Sequence, residues 1–174
     1  WVLYYGKFKN IRIINISLGA DSTESYETDP LARAVRNAVA QGMVVVVAAG
    51  NFGVNAAGQQ SYGTIGSPGH EPRALTVGAG NLKGTISRKD DVVTNFSSRG
   101  PTRGSRIDAS GVRQYDQIIK PDLVAPGNKI VGPLAEDTAA AGGAWNLLAS
   151  RYGTLSQVPG VSQVQDQGLM MLSG

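Results

Sequence analysis

The stretch VVVVAAGN runs from Val44 to Asn51: four β-branched valines, two alanines, a glycine and then a polar amide, with another glycine at Gly53. An apolar run this short, entered directly after Gly42, predicts a buried strand. Working outward, IRIINISL (Ile11 to Leu18) is a second apolar run, bounded by Asn10 before it and Gly19-Ala20-Asp21 after it. Between the two, Asp29 is a good N-cap and Pro30 sits where a first helical turn tolerates proline. Leu31, Val35, Ala38 and Val39 then recur on one helical face, and Gly42 ends the helix. Strand, helix and strand within about forty residues is the size of a right-handed crossover joining two parallel strands. Both strands are apolar on both faces, which predicts helical cover on both sides of an α/β sheet. Ligands gather beyond the carboxyl ends of such strands, where Asn51 and Ser17-Leu18-Gly19 stand.

Downstream, the sequence predicts shorter strands at ALTVGAG (Ala74 to Gly80), VTNFSS (Val93 to Ser98), KPDLVAPG (Lys120 to Gly127) and KIVG (Lys129 to Gly132). From Leu134 to Gly168 the periodicity weakens, with a short helix expected around Trp145 to Tyr152. There is no internal repeat and no clear linker, so one domain, or part of one, is the economical reading. Trp1 onward has neither the basic start nor the cleavage pattern of a signal peptide, and LMMLSG stops on an apolar run; both ends read as cuts through structure.

Composition narrows the classes. With 174 residues, 41% hydrophobic and 17% charged, the chain can bury the core of a domain, and 23 glycines and 8 prolines suit an α/β or β-rich fold. The net charge of +3 is spread out rather than gathered into a stripe, which argues against nucleic acid as a partner. The absence of cysteine removes disulfides, thiol catalysis and cysteine-ligated metals. No run reaches the roughly 18 apolar residues of a membrane span.

Asparagine at the end of an apolar strand has two readings. It suits a turn, because it tolerates left-handed backbone angles, or it serves a site. A nucleotide site does not fit. Gly53 to Gly58 has the glycine spacing of a P-loop, but Gln59 and Gln60 stand where lysine and Ser or Thr must reach the phosphates and magnesium. Gly50 and Gly53 also lack the dinucleotide spacing. A small-ligand-binding α/β domain is disfavoured on the same grounds.

Six stretches occur in order: NISLG (Asn15 to Gly19), VVVVAAGN, GSPG with TVGA (Gly66 to Gly69, Thr76 to Ala79), NFSSRGPT (Asn95 to Thr102), KPDLVAPG, and a terminal LSG (Leu172 to Gly174). The series resembles the subtilisin-like serine proteases, the subtilases, over Asn10 to Leu134 and the last few residues, leaving residues 135–168 as an unmatched insertion. The resemblance implies a subtilisin-like three-layer α/β fold with a mainly parallel sheet, here the central part of the catalytic domain truncated at both ends. It implies that Asn51 donates its side-chain amide to the oxyanion of a tetrahedral intermediate, a role that rewards a preorganised donor. It assigns the walls of the specificity pocket to Ser17, Leu18 and Gly19 on one side and Ala48, Ala49 and Gly50 on the other, and the floor to Gly66 and Ser67. Small residues there let a substrate strand pair with the edges. The family often has a cis peptide at the proline after Ser67, although trans is the general expectation.

The departures define what the chain lacks. The family's aspartate and histidine precede the NISLG strand, and its serine lies in a Gly-Thr-Ser-Met-Ala run; none of the three is present. His70, the sole histidine, falls in a Gly-His-Glu-Pro turn without the family's histidine motif and reads as a non-catalytic loop residue. Ser173 matches the serine preceding the glycine of the nucleophile run, so Gly174 lies two residues short of the nucleophile. Asp122 reads as a structural carboxylate. A serine endopeptidase is therefore implied for the whole protein, with this segment inactive alone; the alternative is a catalytically silent subtilase-like binding or scaffold module. Implied with it are a protein or peptide substrate, a secreted or extracellular location and no cofactor for the chemistry. Structural calcium occurs in the family, with no ligands assignable here: Asp90, Asp91 and Asp137 read as solvated loop charges.

Overall fold

The computed structural model describes residues 1–134, 147–160 and 168–174. Its elements in chain order are α1 (Val2–Tyr5), β1 (Ile13–Ile16), α2 (Pro30–Ala40), β2 (Val44–Ala48), β3 (Leu75–Asn81), β4 (Val92–Val93), β5 (Ser105–Ile107), β6 (Arg113–Tyr115), β7 (Leu123–Pro126), β8 (Ile130–Pro133), α3 (Leu147–Arg151), a 3-10 turn (Gly153–Ser156) and β9 (Leu169–Leu172). They form two compact units, one comprising Trp1–Pro126 with Gly174 and the other Gly127–Ser173.

The first unit is built on a mainly parallel sheet. β1 pairs parallel with β2, β2 with β3 and β3 with β7, while β4 adds antiparallel to the end of β3. The predicted crossover is present. The Asp29 carboxylate accepts from the backbone N–H groups of Leu31 and Ala32, both at 2.9 Å, satisfying two of the donors a helix start leaves open. Gly42, at φ +88, supplies the left-handed backbone that turns the chain into β2.

Helix α2 lies on one face of the sheet, where Val35 and Ala38 pack with Met43, Val45, Val47 and Ala74, flanked by Ile14 and Ile16. Leu31 departs from the expected stripe: it is half exposed, and the small Ala32 takes the buried place in the first turn. The strands also depart from burial on both faces. Residues of opposite parity, Ile13 at 67% exposure, Val44 at 52% and Leu123 at 44%, stay open. A valine-rich strand carries apolar residues on both sides because each is able to be covered; the sequence does not say that it is.

The VTNFSS strand is likewise shorter than expected, ending at Val93. Beyond it, side chains compete for the backbone. Thr94 Oγ1 donates to Ala79 O, and Ser97 Oγ accepts from Ala79 N, which bends the segment across β3 instead of along it. An antiparallel hairpin of β5 and β6 was not anticipated. Its turn is signalled by Asp108-Ala-Ser-Gly111, where the Asp108 carboxylate accepts from Ser110 N and Val112 N and Gly111 takes φ +79.

In the second unit, β8 and β9 pair antiparallel from Ile130↔Leu172 to Pro133↔Leu169, with Val158 and Met170 buried. Helix α3 falls within the helix expected around Trp145 to Tyr152; Trp145 itself, Asp137 and most of the 135–168 insertion lie outside the described residues.

Candidate active site

The parallel strands end at an open cleft of about 550 Å³ in the first unit. Ser17, Leu18 and Gly19 after β1, and Ala48, Ala49, Gly50 and Asn51 at the end of β2, all line it, together with Phe52, Val77, Leu123 and Gly174. Asn51 is exposed, and its amide makes no hydrogen bond among the described residues. The residue before it, Gly50, has φ +107, a conformation closed to ordinary side chains, and this breaks the strand so that Asn51 faces the cleft rather than the sheet. A methyl group built on Gly174 would lie 3.3 Å from Asn51 Nδ2. The end of β2 and Gly174 therefore meet.

Gly66 and Ser67 stand beside the wall formed by Gly19 and Ala20. Ala20 and Ser67 exchange both backbone hydrogen bonds, at 2.9 and 2.8 Å, and Gly66 N donates to Ala49 O at 3.3 Å. Gly66 has no room for a side chain, since a methyl group there would come within 2.5 Å of Ala20 O. These two residues thus tie the Gly19-Ala20 wall to the Ala49 wall, although they do not line the cleft itself. The Ser67–Pro68 peptide is cis, departing from the general trans expectation, as are Gly100–Pro101 and Lys120–Pro121.

Buried charge fixes this segment to α2. Glu71 is 1% exposed and accepts from Arg36 at 2.8 Å, and the Arg36 guanidinium also donates to Tyr26 O. His70 lies in the expected turn and is buried there: it is 1% exposed, with Nε2 3.6 Å from Asp29 Oδ2, too long for a hydrogen bond. Burial lowers its pKa below the ordinary 6.5, outweighing the opposing pull of Asp29, Asp116, Glu71 and Glu24. A neutral imidazole sealed away from the cleft does no proton transfer there. Asp122, read as structural, accepts from Thr76 N at 2.7 Å and from the buried Lys120 ammonium at 2.6 Å, pinning β7 to β3. Asp90 accepts from Thr85 Oγ1, and Asp91 lies 3.9 Å from Arg88. No group of three or more His, Asp or Glu among the described residues has the arrangement of a metal site.

The family model for subtilases matches residues 4–174. The chain belongs to the subtilase family. As a subtilase segment it is 38% identical over 136 residues to serine protease AprX of Bacillus subtilis (strain 168), covering 75% of this chain and 27% of that protein. It is 34% identical over 122 residues to subtilisin-like protease 1 of Arthroderma gypseum, covering 70% and 18% respectively. The chain thus spans about a quarter or less of the length of these curated relatives. Sphericase superimposes with a TM-score of 0.55 over 99% of this chain and 41% of its own, at 22% identity, a likeness of fold. Among the described residues of this subtilase segment, no helix is long and apolar enough to cross a membrane.

Proposed function

We propose that this chain carries the oxyanion donor and the specificity pocket of a subtilisin-type serine endopeptidase. The observation that carries the reading is the meeting of Asn51 and Gly174, because family resemblance puts Gly174 at the head of the run that bears the nucleophile. In this reading the nucleophilic serine and its histidine and aspartate partners come from outside residues 1–174. As the serine oxygen bonds to the substrate carbonyl carbon, the carbonyl oxygen takes up the electron pair and becomes an oxyanion. The Asn51 Nδ2–H then donates to it, both in forming the acyl-enzyme ester and in its hydrolysis by water.

The pocket supports a preference in substrate. Its walls are Ser17, Leu18, Gly19, Ala48, Ala49 and Gly50, without a carboxylate, and Asp21 beyond the wall is paired with Arg103. Protein or peptide substrates with an apolar or bulky residue before the scissile bond fit it better than those with lysine or arginine. The family resemblance supports a secreted or extracellular location, and structural calcium is left without assigned ligands.

Replacing Asn51 tests the assignment. In the full-length protein, Asn51→Ala lowers kcat about 100- to 1000-fold with KM nearly unchanged, the range seen when a subtilisin loses its oxyanion-hole asparagine. An unchanged kcat in a folded variant returns Asn51 to a turn residue. A fluorophosphonate probe separates an enzyme from a silent binding module: the full-length protein is labelled on one serine, and residues 1–174 alone are not.

A further inference from the structure

Nothing among the described residues holds the Asn51 amide directly, so its aim is set by the backbone on either side. Both flanking peptide groups are gripped by one side chain's residue. Ser98 N donates to Gly50 O at 2.9 Å, and Ser98 Oγ accepts from Phe52 N at 3.1 Å. The grip is tight: a methyl group on Gly50 would fall 2.9 Å from Ser98 Oγ, and Ser98 is 1% exposed. Its own position is over-determined. Ser97 Oγ before it accepts from Ala79 N of β3, and Arg99 after it exchanges hydrogen bonds with Thr64, through Arg99 N to Thr64 Oγ1 and Thr64 N to Arg99 O. Gly53 N donates to Phe96 O one residue beyond the grip.

We propose that Ser98 is a positioning residue for the oxyanion donor: its backbone N–H and hydroxyl oxygen, anchored to β3 and to the Thr64 segment, fix the peptide groups on both sides of Asn51 and so aim its amide. The NFSSRGPT stretch thereby reaches the chemistry through a single serine. Ser98 touches no substrate; it acts only through Asn51. A free amide on a wandering loop would lose alignment as charge develops, and small misplacements of reacting groups carry large rate penalties.

This assignment rests on the oxyanion role of Asn51, and a double-mutant cycle in the full-length protein separates the two. Ser98→Ala removes the acceptor for Phe52 N while keeping the backbone bond to Gly50. The expected result is a fall of about tenfold in kcat per titratable active site, with KM within about twofold. In the Asn51→Ala background the same change has almost no further effect, because the donor it aims is gone. Ser98→Thr, which restores an oxygen acceptor, returns most of kcat. Should Ser98→Ala fail to fold, Ser98→Cys, with a weaker acceptor in nearly the same volume, takes its place in the cycle. A normal Asn51→Ala loss beside an inert Ser98 variant, or beside one whose full effect persists in the Asn51→Ala background, overturns the Ser98 assignment alone. An inert Asn51→Ala overturns the oxyanion reading and this assignment with it.

Discussion

Asp29 serves two neighbours at once. One carboxylate oxygen caps α2, and the other is 3.6 Å from the His70 ring, whose nitrogens have no hydrogen-bond partner among the described residues. His70 is therefore a buried group held neutral by desolvation, and its effect on stability has a definite sign. Its folded pKa lies below 6.5, so beneath that value the unfolded chain binds the extra proton and the folded chain resists it. Stability contributed by neutral His70 is present above pH 6.5 and is lost as the pH falls from there towards the folded pKa. Melting temperature followed against pH should show this acid-side loss in the parent, and His70→Leu, which cannot titrate, should flatten it. An identical slope in both proteins would assign the loss to the surrounding carboxylates. None of this was legible in the sequence, where Gly-His-Glu-Pro reads as an ordinary turn. The Asp29 carboxylate that stands 3.6 Å from the ring lies far before it along the chain, a proximity that only the fold creates.

At the scale of elements, the β5–β6 hairpin is fastened to the loop between β1 and α2 by side chains of unequal worth. Asp116 accepts from Ser25 Oγ at 2.8 Å and from Tyr26 N at 3.0 Å, and Ser25 is fully buried. Arg106 pairs with Glu27 at 2.7 Å, with both side chains more than a third exposed. Asp116→Ala should cost about 1–3 kcal/mol, since it strands buried donors, while Arg106→Ala should cost less than about 1 kcal/mol. Denaturant midpoints of the two variants check the order, and a reversal would mean that the loop relaxes around Ser25. The contrast with α2 shows what a sequence conveys. Asp29-Pro30 and Gly42 mark that helix at both ends with local chemistry, so its limits could be read directly. β5 and β6 have three residues each, too few for a period; only their turn at Asp108 to Gly111 is marked locally, and the Asp116 and Arg106 contacts that fasten them reach a loop far away along the chain. The strand end at Asn51 was legible because a polar side chain interrupts an apolar run there. The hydrogen bonds of Ser98 to Gly50 and Phe52 were not, because a serine among serines announces nothing.

For the molecule as a whole, the open face of the sheet governs behaviour in solution. Ile13 and Val44 are neighbours in register across β1 and β2, and Leu123 extends the same apolar face on β7. A contiguous exposed apolar surface of this kind invites association. Residues 1–174 prepared alone should bind a hydrophobic dye and sediment with a mass that rises with concentration; Ile13→Thr with Val44→Thr should reduce both effects. Dye binding unchanged by the pair would place the exposed surface elsewhere. The apolar content of both strands could be read from the valines and isoleucines, whereas the uncovered state of one face could not, because a strand's composition records what it can bury and not what arrives to cover it.

The hairpin turn at Asp108 to Gly111 carries a practical corollary. Ala109, Ser110 and Gly111 are exposed, and the turn closes on itself through the Asp108 carboxylate. The excursion that contains it leaves the sheet at β4 and returns at β7, and both of those strands are already held by β3, β4 at Gly80↔Val93 and β7 from Val77↔Leu123 to Gly80↔Pro126. Lengthening a loop whose ends are fixed adds only slowly to its closure entropy, roughly 0.6 kcal/mol for each doubling. A fluorophore, an affinity tag or a small guest domain spliced at Ser110 would thus ride on the protein as cargo, leaving the strands that line the cleft undisturbed.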